Sequence, residues 1–121
     1  MTKRTFAHTG MMSVDGGEAG FQRRVIDYAL LRGWLCYHSR PVRVRRASGA
    51  EYWTTPMTGS PGFPDLVFAR NGVVFFAELK DAKGKLSAAQ LAWQDAINGE
   101  GSGRAIVWRP QDFNDIMRIL E

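Results

Sequence analysis

The sequence has few of the features expected of a secreted or membrane-embedded protein. It contains a single cysteine, Cys36, so no disulfide can form within the chain. No apolar run approaches the ~20 residues that a spanning helix needs. No apolar segment follows the basic first residues either, so we expect neither a membrane span nor a signal peptide. Internal repeats and low-complexity tracts are also lacking. The single cysteine fits a reducing cytosol.

Length and charge set further bounds. The 121 residues are enough for one domain with a modest core. A net charge of +4 and an isoelectric point near 9.6 make nucleic acid a reasonable partner. Residues 1–14 show no hydrophobic periodicity. We expect them to form a flexible N-terminal arm in front of a single domain, residues 15–121.

The most informative stretch predicts a β-hairpin. Two apolar runs, 66–69 and 73–77, flank Asn71-Gly72. This dipeptide favours a type I′ turn, which needs positive φ at both central residues. A two-residue loop at this point predicts a register in which Asp65 lies directly opposite Glu78. A three-residue loop would instead send the two side chains to opposite faces of the hairpin.

In the first register, Asp65 and Glu78 share one face, with Cβ atoms roughly 4.5–5.5 Å apart. Two carboxylates at that distance repel each other, and a divalent cation between them would remove the repulsion. Mg²⁺ fits, because it is held by one or two carboxylates together with water and phosphate oxygens. Lys80 projects from the same face and would bring a positive charge to a phosphate oxygen or a water. The hairpin therefore predicts a metal site.

The order of these motifs resembles a nuclease signature. Pro64-Asp65 followed by Glu78-Leu79-Lys80 is similar to the PD-(D/E)XK signature. The segments 62–65 and 87–93 narrow the resemblance to the VRR-NUC (virus-type replication–repair nuclease) family, in particular to its small stand-alone phage-type members. The resemblance spans about residues 18–107.

The resemblance implies further site residues. It implies that the backbone carbonyl of Leu79 joins Asp65 and Glu78 on the metal, and that Gln90 faces the active site. It also implies a third acid, Glu18, that contacts the metal directly or through water. Two of these residues also have structural interpretations. Glu18 has the spacing of a helix-capping glutamate, and Gln90 has that of a capping box with Ser87. Both interpretations remain open.

Hydrophobic periodicity predicts the elements around the hairpin. The first helix is expected over 15–32, with its buried face through Phe21, Val25, Tyr28 and Ala29. An apolar strand over 34–38 is expected to be central in the sheet. A second helix begins at Ser87, and its apolar residues between Leu91 and Ile97 are expected in the core. A strand over 104–109 and a helix over 111–120 follow.

The predicted fold is therefore α/β, in the order α-β-β-β-α-β with a closing helix. Its mixed central sheet is flanked by helices. The PD-(D/E)XK resemblance implies the same core, with residues 40–61 as a basic insert before the second core strand.

The insert is predicted to form a basic β-hairpin. A solvated edge strand is one interpretation of its charge. Arginines followed by a Tyr-Trp pair are also typical of a surface that clamps phosphates and stacks on bases. We therefore regard the following as candidate DNA-binding residues: Arg40, Arg43, Arg45, Arg46, Tyr52 and Trp53, with Lys83 and Lys85 after the central hairpin.

Two other reactive side chains receive structural interpretations. Cys36 is interpreted as a small buried hydrophobe, because no basic neighbour favours its thiolate. His38 is interpreted as a partly buried, hydrogen-bonded histidine. A place at the site from the strand end is the alternative for His38.

Together these features predict a Mg²⁺- or Mn²⁺-dependent DNA endonuclease that hydrolyses phosphodiester bonds. The family resemblance implies structure-specific cleavage of branched DNA, such as Holliday junctions, by a homodimer. It also implies the cytoplasm of a bacterium or a phage-infected host. A flap- or end-specific nuclease and a restriction-type nuclease are alternatives. A non-catalytic DNA-binding module is disfavoured, because Asp65, Glu78 and Lys80 are all present.

Overall fold

The computed structural model describes residues 18–101 and 103–121, with the side chain of Glu18 excepted. The predicted N-terminal arm and residues 15–17, the first residues of the predicted helix, lie outside these residues. The order of the elements follows the prediction. They are α1 (Glu18–Leu31), β1 (Leu35–His38), β2 (Val42–Arg45), β3 (Glu51–Thr54), β4 (Leu66–Arg70), β5 (Val73–Leu79), α2 (Ala88–Asn98), β6 (Ala105–Trp108), a 3₁₀ turn (Pro110–Asp112) and α3 (Phe113–Leu120).

The four-stranded sheet is mixed, as predicted. Its spatial order is β1-β4-β5-β6. The pairs β1/β4 and β4/β5 are antiparallel, whereas β5/β6 is parallel. The parallel pair is possible because α2 provides the crossover between β5 and β6. The protein thus has an α/β fold. Among the described residues, no helix combines the length and apolarity that crossing a bilayer requires.

The central hairpin has the predicted turn and register. Asn71 has φ of 50° and Gly72 has φ of 82°, so both loop residues adopt the positive values that a type I′ turn requires. Arg70 pairs with Val73, and the ladder continues to Leu66 opposite Ala77. The paired ladder ends one step before Asp65. The register therefore places Asp65 and Glu78 at the same end of the hairpin.

The core lies on one face of the sheet, beneath α1 and α3. The predicted buried face of α1 is confirmed for Phe21, Val25 and Ala29, which are buried, whereas Tyr28 is only partly buried. They pack with alternate residues of the central hairpin and with Ile116 and Leu120 of α3. The hairpin residues are Leu66, Phe68, Phe75, Ala77 and Leu79.

The prediction that the first strand is central was wrong. Among the described strands, β1 lies at an edge of the four-stranded sheet and pairs with β4. Cys36 faces the core, but Leu35 is 75% exposed and Tyr37 is 62% exposed. The apolar composition of this strand suggested burial on both faces, but the described helices cover only the face that carries Cys36.

The prediction that the apolar residues of α2 lie in the core was also wrong. Leu91 is exposed, Trp93 is half-buried, and Gln94 is the buried residue of the helix. The reason is that Phe63 separates Trp93 from the sheet. The Phe63 ring centroid is 4.9 Å from that of Trp93 and 5.8 Å from that of Phe76. The helix therefore packs against the loop that leads to Asp65.

Candidate functional site

Asp65 is held at the end of the hairpin by its own carboxylate. It follows the buried Pro64 and precedes the first residue of β4. The backbone N–H of Leu79 donates a hydrogen bond of 2.9 Å to Asp65 Oδ2. The Asp65 carboxylate thus continues the hydrogen bonding between the two strands beyond the last backbone pair. It accepts from Leu79, the residue directly after Glu78.

Glu78 is a buried carboxylate at the same place. It is 3% exposed, on the penultimate residue of β5. Alternation along the strand puts it on the side of Phe76, which is the α2 side of the sheet. Gln90 Nε2 of α2 donates to Glu78 Oε2 at 3.0 Å. Removing a carboxylate from water costs several kcal/mol per ion. A hydrogen-bond partner such as the Gln90 amide offsets part of this cost.

Gln90 forms the predicted capping box and also contacts the Glu78 carboxylate. The Ser87 N–H donates to Gln90 Oε1 at 2.8 Å, and the Gln90 N–H donates to Ser87 Oγ at 3.1 Å, which together form the capping box. The other end of the same amide donates to Glu78. The start of α2 and the position of the Glu78 carboxylate are therefore coupled through one side chain.

Gly62 brings the loop before Asp65 against α2. Its φ is +94°, and a Cβ added there would lie 2.5 Å from the backbone carbonyl carbon of Ala89. Only glycine permits both this conformation and this approach. Sequence analysis used Gly62 as a motif position and missed this contact, although a glycine three residues before a predicted site residue is a usable signal.

Lys80 and the turn after it form the other side of the site. The Lys80 N–H donates to Trp108 O at 3.0 Å, and the residue is half-buried. Alternation puts its side chain on the same side as Glu78. Arg109 Nη1 donates to Asp81 O at 2.8 Å and to Gly84 O at 2.7 Å, which fixes the turn. Lys83 and Lys85 are exposed within this turn.

His38 is a partly buried, hydrogen-bonded histidine, as interpreted from the sequence. Its Nε2 lies 2.7 Å from Gln22 Nε2 of α1. Its backbone pairs with Leu66, the residue after Asp65. Burial lowers the pKa of His38, while the Asp65 carboxylate opposes that shift and the Arg40 guanidinium adds to it. His38 therefore senses Asp65 electrostatically. No local sequence pattern indicates its contact with Gln22.

Cys36 has the inert character expected of it. Burial raises the pKa of its thiol to about 11. The thiolate is therefore scarce at neutral pH, which argues against a nucleophilic role.

The basic insert forms the predicted hairpin, as a separate two-stranded sheet of β2 and β3. Arg43 and Arg45 share the carboxylate of Glu51, at 3.2 Å and 2.8 Å. The three arginines of this hairpin each contact an aromatic ring or the Glu51 carboxylate. They outnumber Glu51, so the hairpin carries a net positive charge. Arg43 lies 5.0 Å from the Trp53 ring centroid, and Arg46 lies 4.3 Å from that of Tyr52. Trp53 remains 63% exposed.

The residues present fit a hard divalent cation. Asp65 and Glu78 supply two carboxylates at one strand end, which suffices for Mg²⁺ when water and phosphate oxygens complete its shell. Within residues 18–101 and 103–121, no group of three or more His, Cys, Asp and Glu side chains could hold a metal ion. The side chain of Glu18, the predicted third acid, lies outside the described part of the chain.

Comparisons with protein-family models, with curated proteins and with solved structures give no significant match. The VRR-NUC resemblance of the motifs therefore stays a prediction.

Proposed function

We propose that this protein is a metal-dependent DNA endonuclease with a PD-(D/E)XK core. The proposal rests on the position of two carboxylates, Asp65 and Glu78, at the same end of the hairpin. Asp65 accepts a hydrogen bond from the Leu79 N–H, and the buried Glu78 accepts one from Gln90. A chain built only for stability gains little from two carboxylates there, since like charges opposite each other destabilise a strand pair.

Each residue has a role in this proposal. Asp65, Glu78 and the Leu79 carbonyl would hold Mg²⁺ or Mn²⁺. When bound, such a metal polarises a phosphoryl oxygen and lowers the pKa of a coordinated water. The Leu79 N–H and Gln90 orient the two carboxylates. Lys80 places a positive charge where negative charge develops on the phosphate. Glu18 is retained as a further acid on the strength of the family resemblance.

The basic hairpin would hold the DNA backbone. Arg40, Arg43, Arg45 and Arg46 outnumber the single acid, Glu51, in residues 40–54. The exposed Trp53 ring and the arginines stacked near it combine charge with stacking surface, as in proteins that bind single strands. Lys83 and Lys85 would add contacts from the turn after Lys80.

Branched DNA is the proposed substrate. This choice rests on the resemblance to small VRR-NUC proteins, which also implies a homodimer and the Holliday junction as the substrate to test first. Flap- or end-specific cleavage and restriction-type cleavage are the alternative activities.

A panel of labelled DNAs tests the proposal. It contains duplex, single strand, flap, splayed arm and four-way junction, each with Mg²⁺, with Mn²⁺ and with EDTA. We expect metal-dependent cutting that prefers branched DNA over duplex. Binding without cutting of any substrate would refute the enzyme and leave a DNA-binding module.

Gln90 offers a prediction that separates capping from catalysis. Ser87→Ala removes the capping hydroxyl and should destabilise the protein by about 1 kcal/mol, with cleavage nearly unchanged. Gln90→Ala removes the return bond of the cap and also the donor to Glu78. We expect a comparable loss of stability but at least a roughly tenfold loss of cleavage, as from a lost positioning contact of ~1.4 kcal/mol.

Urea unfolding and single-turnover cleavage of the two variants provide the measurement. Equal cleavage rates at equal stability loss would show that Gln90 serves only the helix cap.

A further inference from the structure

A cavity beside Asp65 is not used by the proposed hydrolysis. Its volume is about 840 Å³, within the range of roughly 300–1,000 Å³ found for small-molecule sites. It lies between the end of β1 and the loop of residues 55–63, and Asp65 is one of its lining residues. Any ligand in it would therefore be adjacent to the phosphate that the proposed metal site binds.

Aromatic rings form part of its wall. Tyr37, Phe63 and Trp93 all line the cavity. Tyr37 exposes 62% of its surface, although it is a large aromatic residue on a sheet edge. Aromatic faces next to a basic nucleic-acid surface are the usual platforms on which unpaired bases stack.

Polar atoms complete the lining. Gln22 and His38 both line the cavity, and they contact each other at 2.7 Å. With Gln22 Nε2 donating, His38 Nε2 accepts and His38 Nδ1 carries the ring proton. The pair then keeps two kinds of donor, His38 Nδ1 and the second N–H of Gln22 Nε2, and an acceptor, Gln22 Oε1. Nucleobase edges carry complementary donors and acceptors, so the pair can hydrogen-bond to a base edge.

The cavity wall is fixed before any ligand binds. Trp93 Nε1 donates to Pro61 O at 3.0 Å and to Ser60 O at 3.3 Å. Gly62 is pressed against the backbone of Ala89. Residues 60–62 of the loop are therefore held to α2, so binding would need little reorganisation of this part of the wall.

The basic hairpin stands at the rim of the cavity. Pro41, directly before β2, and Thr55, directly after β3, are both lining residues. A DNA backbone bound by the arginines of the hairpin would therefore pass the opening.

We propose that this cavity binds one unpaired nucleobase of the DNA, with Tyr37 as a stacking surface and the Gln22–His38 pair at the base edge. The proposal rests on the proposed function for the position of the scissile phosphate. It defines the substrate more closely: the nucleotide next to the cut is unpaired. A base in continuous duplex would first have to leave the stack, which costs a few kcal/mol.

Fluorescence of 2-aminopurine tests the proposal without cleavage. One DNA is a duplex with a single bulged 2-aminopurine, and the other is the same duplex with that base paired. Ca²⁺ replaces Mg²⁺ in the binding buffer. Stacking on the protein should quench the bulged base and leave the paired base unchanged. Tyr37→Ala should abolish the quenching and weaken binding of the bulged DNA about tenfold, the effect of one lost base–aromatic stack.

Two variants serve as controls. Leu35→Ala changes an exposed residue on the same strand and face that does not line the cavity, and it should behave as wild type. Tyr37→Phe keeps the ring and should retain the quenching. Equal behaviour of Tyr37→Ala and Leu35→Ala, or no quenching by wild type, would overturn the base site.

The cleavage panel separates this failure from that of the proposed function. Cleavage of the DNA panel without Tyr37-dependent quenching would refute the base site and leave the nuclease. Tyr37-dependent quenching without cleavage of any DNA would support the base site and refute the nuclease.

Discussion

Asp65→Asn is expected to reduce Mg²⁺-dependent cleavage about 10³-fold while leaving the protein folded. The asparagine oxygen can still accept the Leu79 N–H, so the local geometry is retained. The negative charge is lost. Metal ions contribute several kcal/mol of transition-state stabilisation, and each ~1.36 kcal/mol is a factor of ten in rate. The whole effect should therefore fall on catalysis.

Stability of the metal-free protein provides a second readout for this variant. The substitution exchanges a charged acceptor for a neutral one but also removes a carboxylate that repels Glu78. These effects oppose each other, and we expect the free energy of unfolding to change by less than about 1 kcal/mol. A large loss of cleavage with little change in the free energy of unfolding distinguishes a functional residue from a structural one.

Asp95→Asn is the matched control, because Asp95 is an exposed acid on α2. It should cleave as wild type does. If Asp65→Asn retained cleavage within about threefold of Asp95→Asn, Asp65 would have no role in the chemistry, and the proposed site would have to be abandoned.

Gly62→Ala is expected to cause the largest loss of stability, about 3 kcal/mol or more. A Cβ at this position would lie 2.5 Å from Ala89 C and 2.6 Å from Ala89 O, which are backbone atoms that cannot rotate away. Overpacking of this kind costs about 1–3 kcal/mol, and the positive φ of the residue adds roughly 1–2 kcal/mol for any side chain.

Gly59→Ala isolates the two contributions. Gly59 lies in the same loop with φ of +98°, but a Cβ there meets nothing within 4 Å. It should therefore lose only about 1 kcal/mol. Urea unfolding with unchanged slopes gives the comparison. Equal losses in the two variants would show that the contact with Ala89 contributes nothing.

The same contact links Gly62 to the site. Gly62 lies three residues before Asp65, and Ala89 directly precedes Gln90. We expect Gly62→Ala to lower cleavage in conditions where the variant is still folded, since a loop displaced by a few tenths of an ångström moves both Asp65 and Gln90.

The central hairpin could be predicted from sequence because its determinants are local. Asn71-Gly72 selects one turn type, and the turn type selects the register. The register then determines which residues reach the hairpin end. The capping box of Ser87 and Gln90 is local in the same way, since both partners lie within one helical turn.

The errors concern properties that depend on distant parts of the chain. Tyr37 and Leu35 look like core residues until the covering helices are placed, because only these decide which sheet face is solvated. Trp93 has helical spacing typical of a core residue. In the structure Phe63, some thirty residues away in sequence, occupies the position between it and the sheet.

The contact of Gln22 with His38 is of the same kind. It joins a helix to a strand end that is sixteen residues distant. No local sequence pattern around either residue predicts a contact with the other. The acids at the hairpin end could therefore be predicted from the sequence, whereas the cavity that adjoins them could not.

The proposed hydrolysis requires that Asp65 and Glu78 hold a divalent cation. Titration with Mn²⁺, followed by electron paramagnetic resonance of the free ion, measures this directly in the presence of the bulged duplex. We predict saturable binding by wild type and by Asp95→Asn, and loss of that binding in Asp65→Asn and in Glu78→Gln. Equal binding by all four proteins, or none by wild type, would contradict the account.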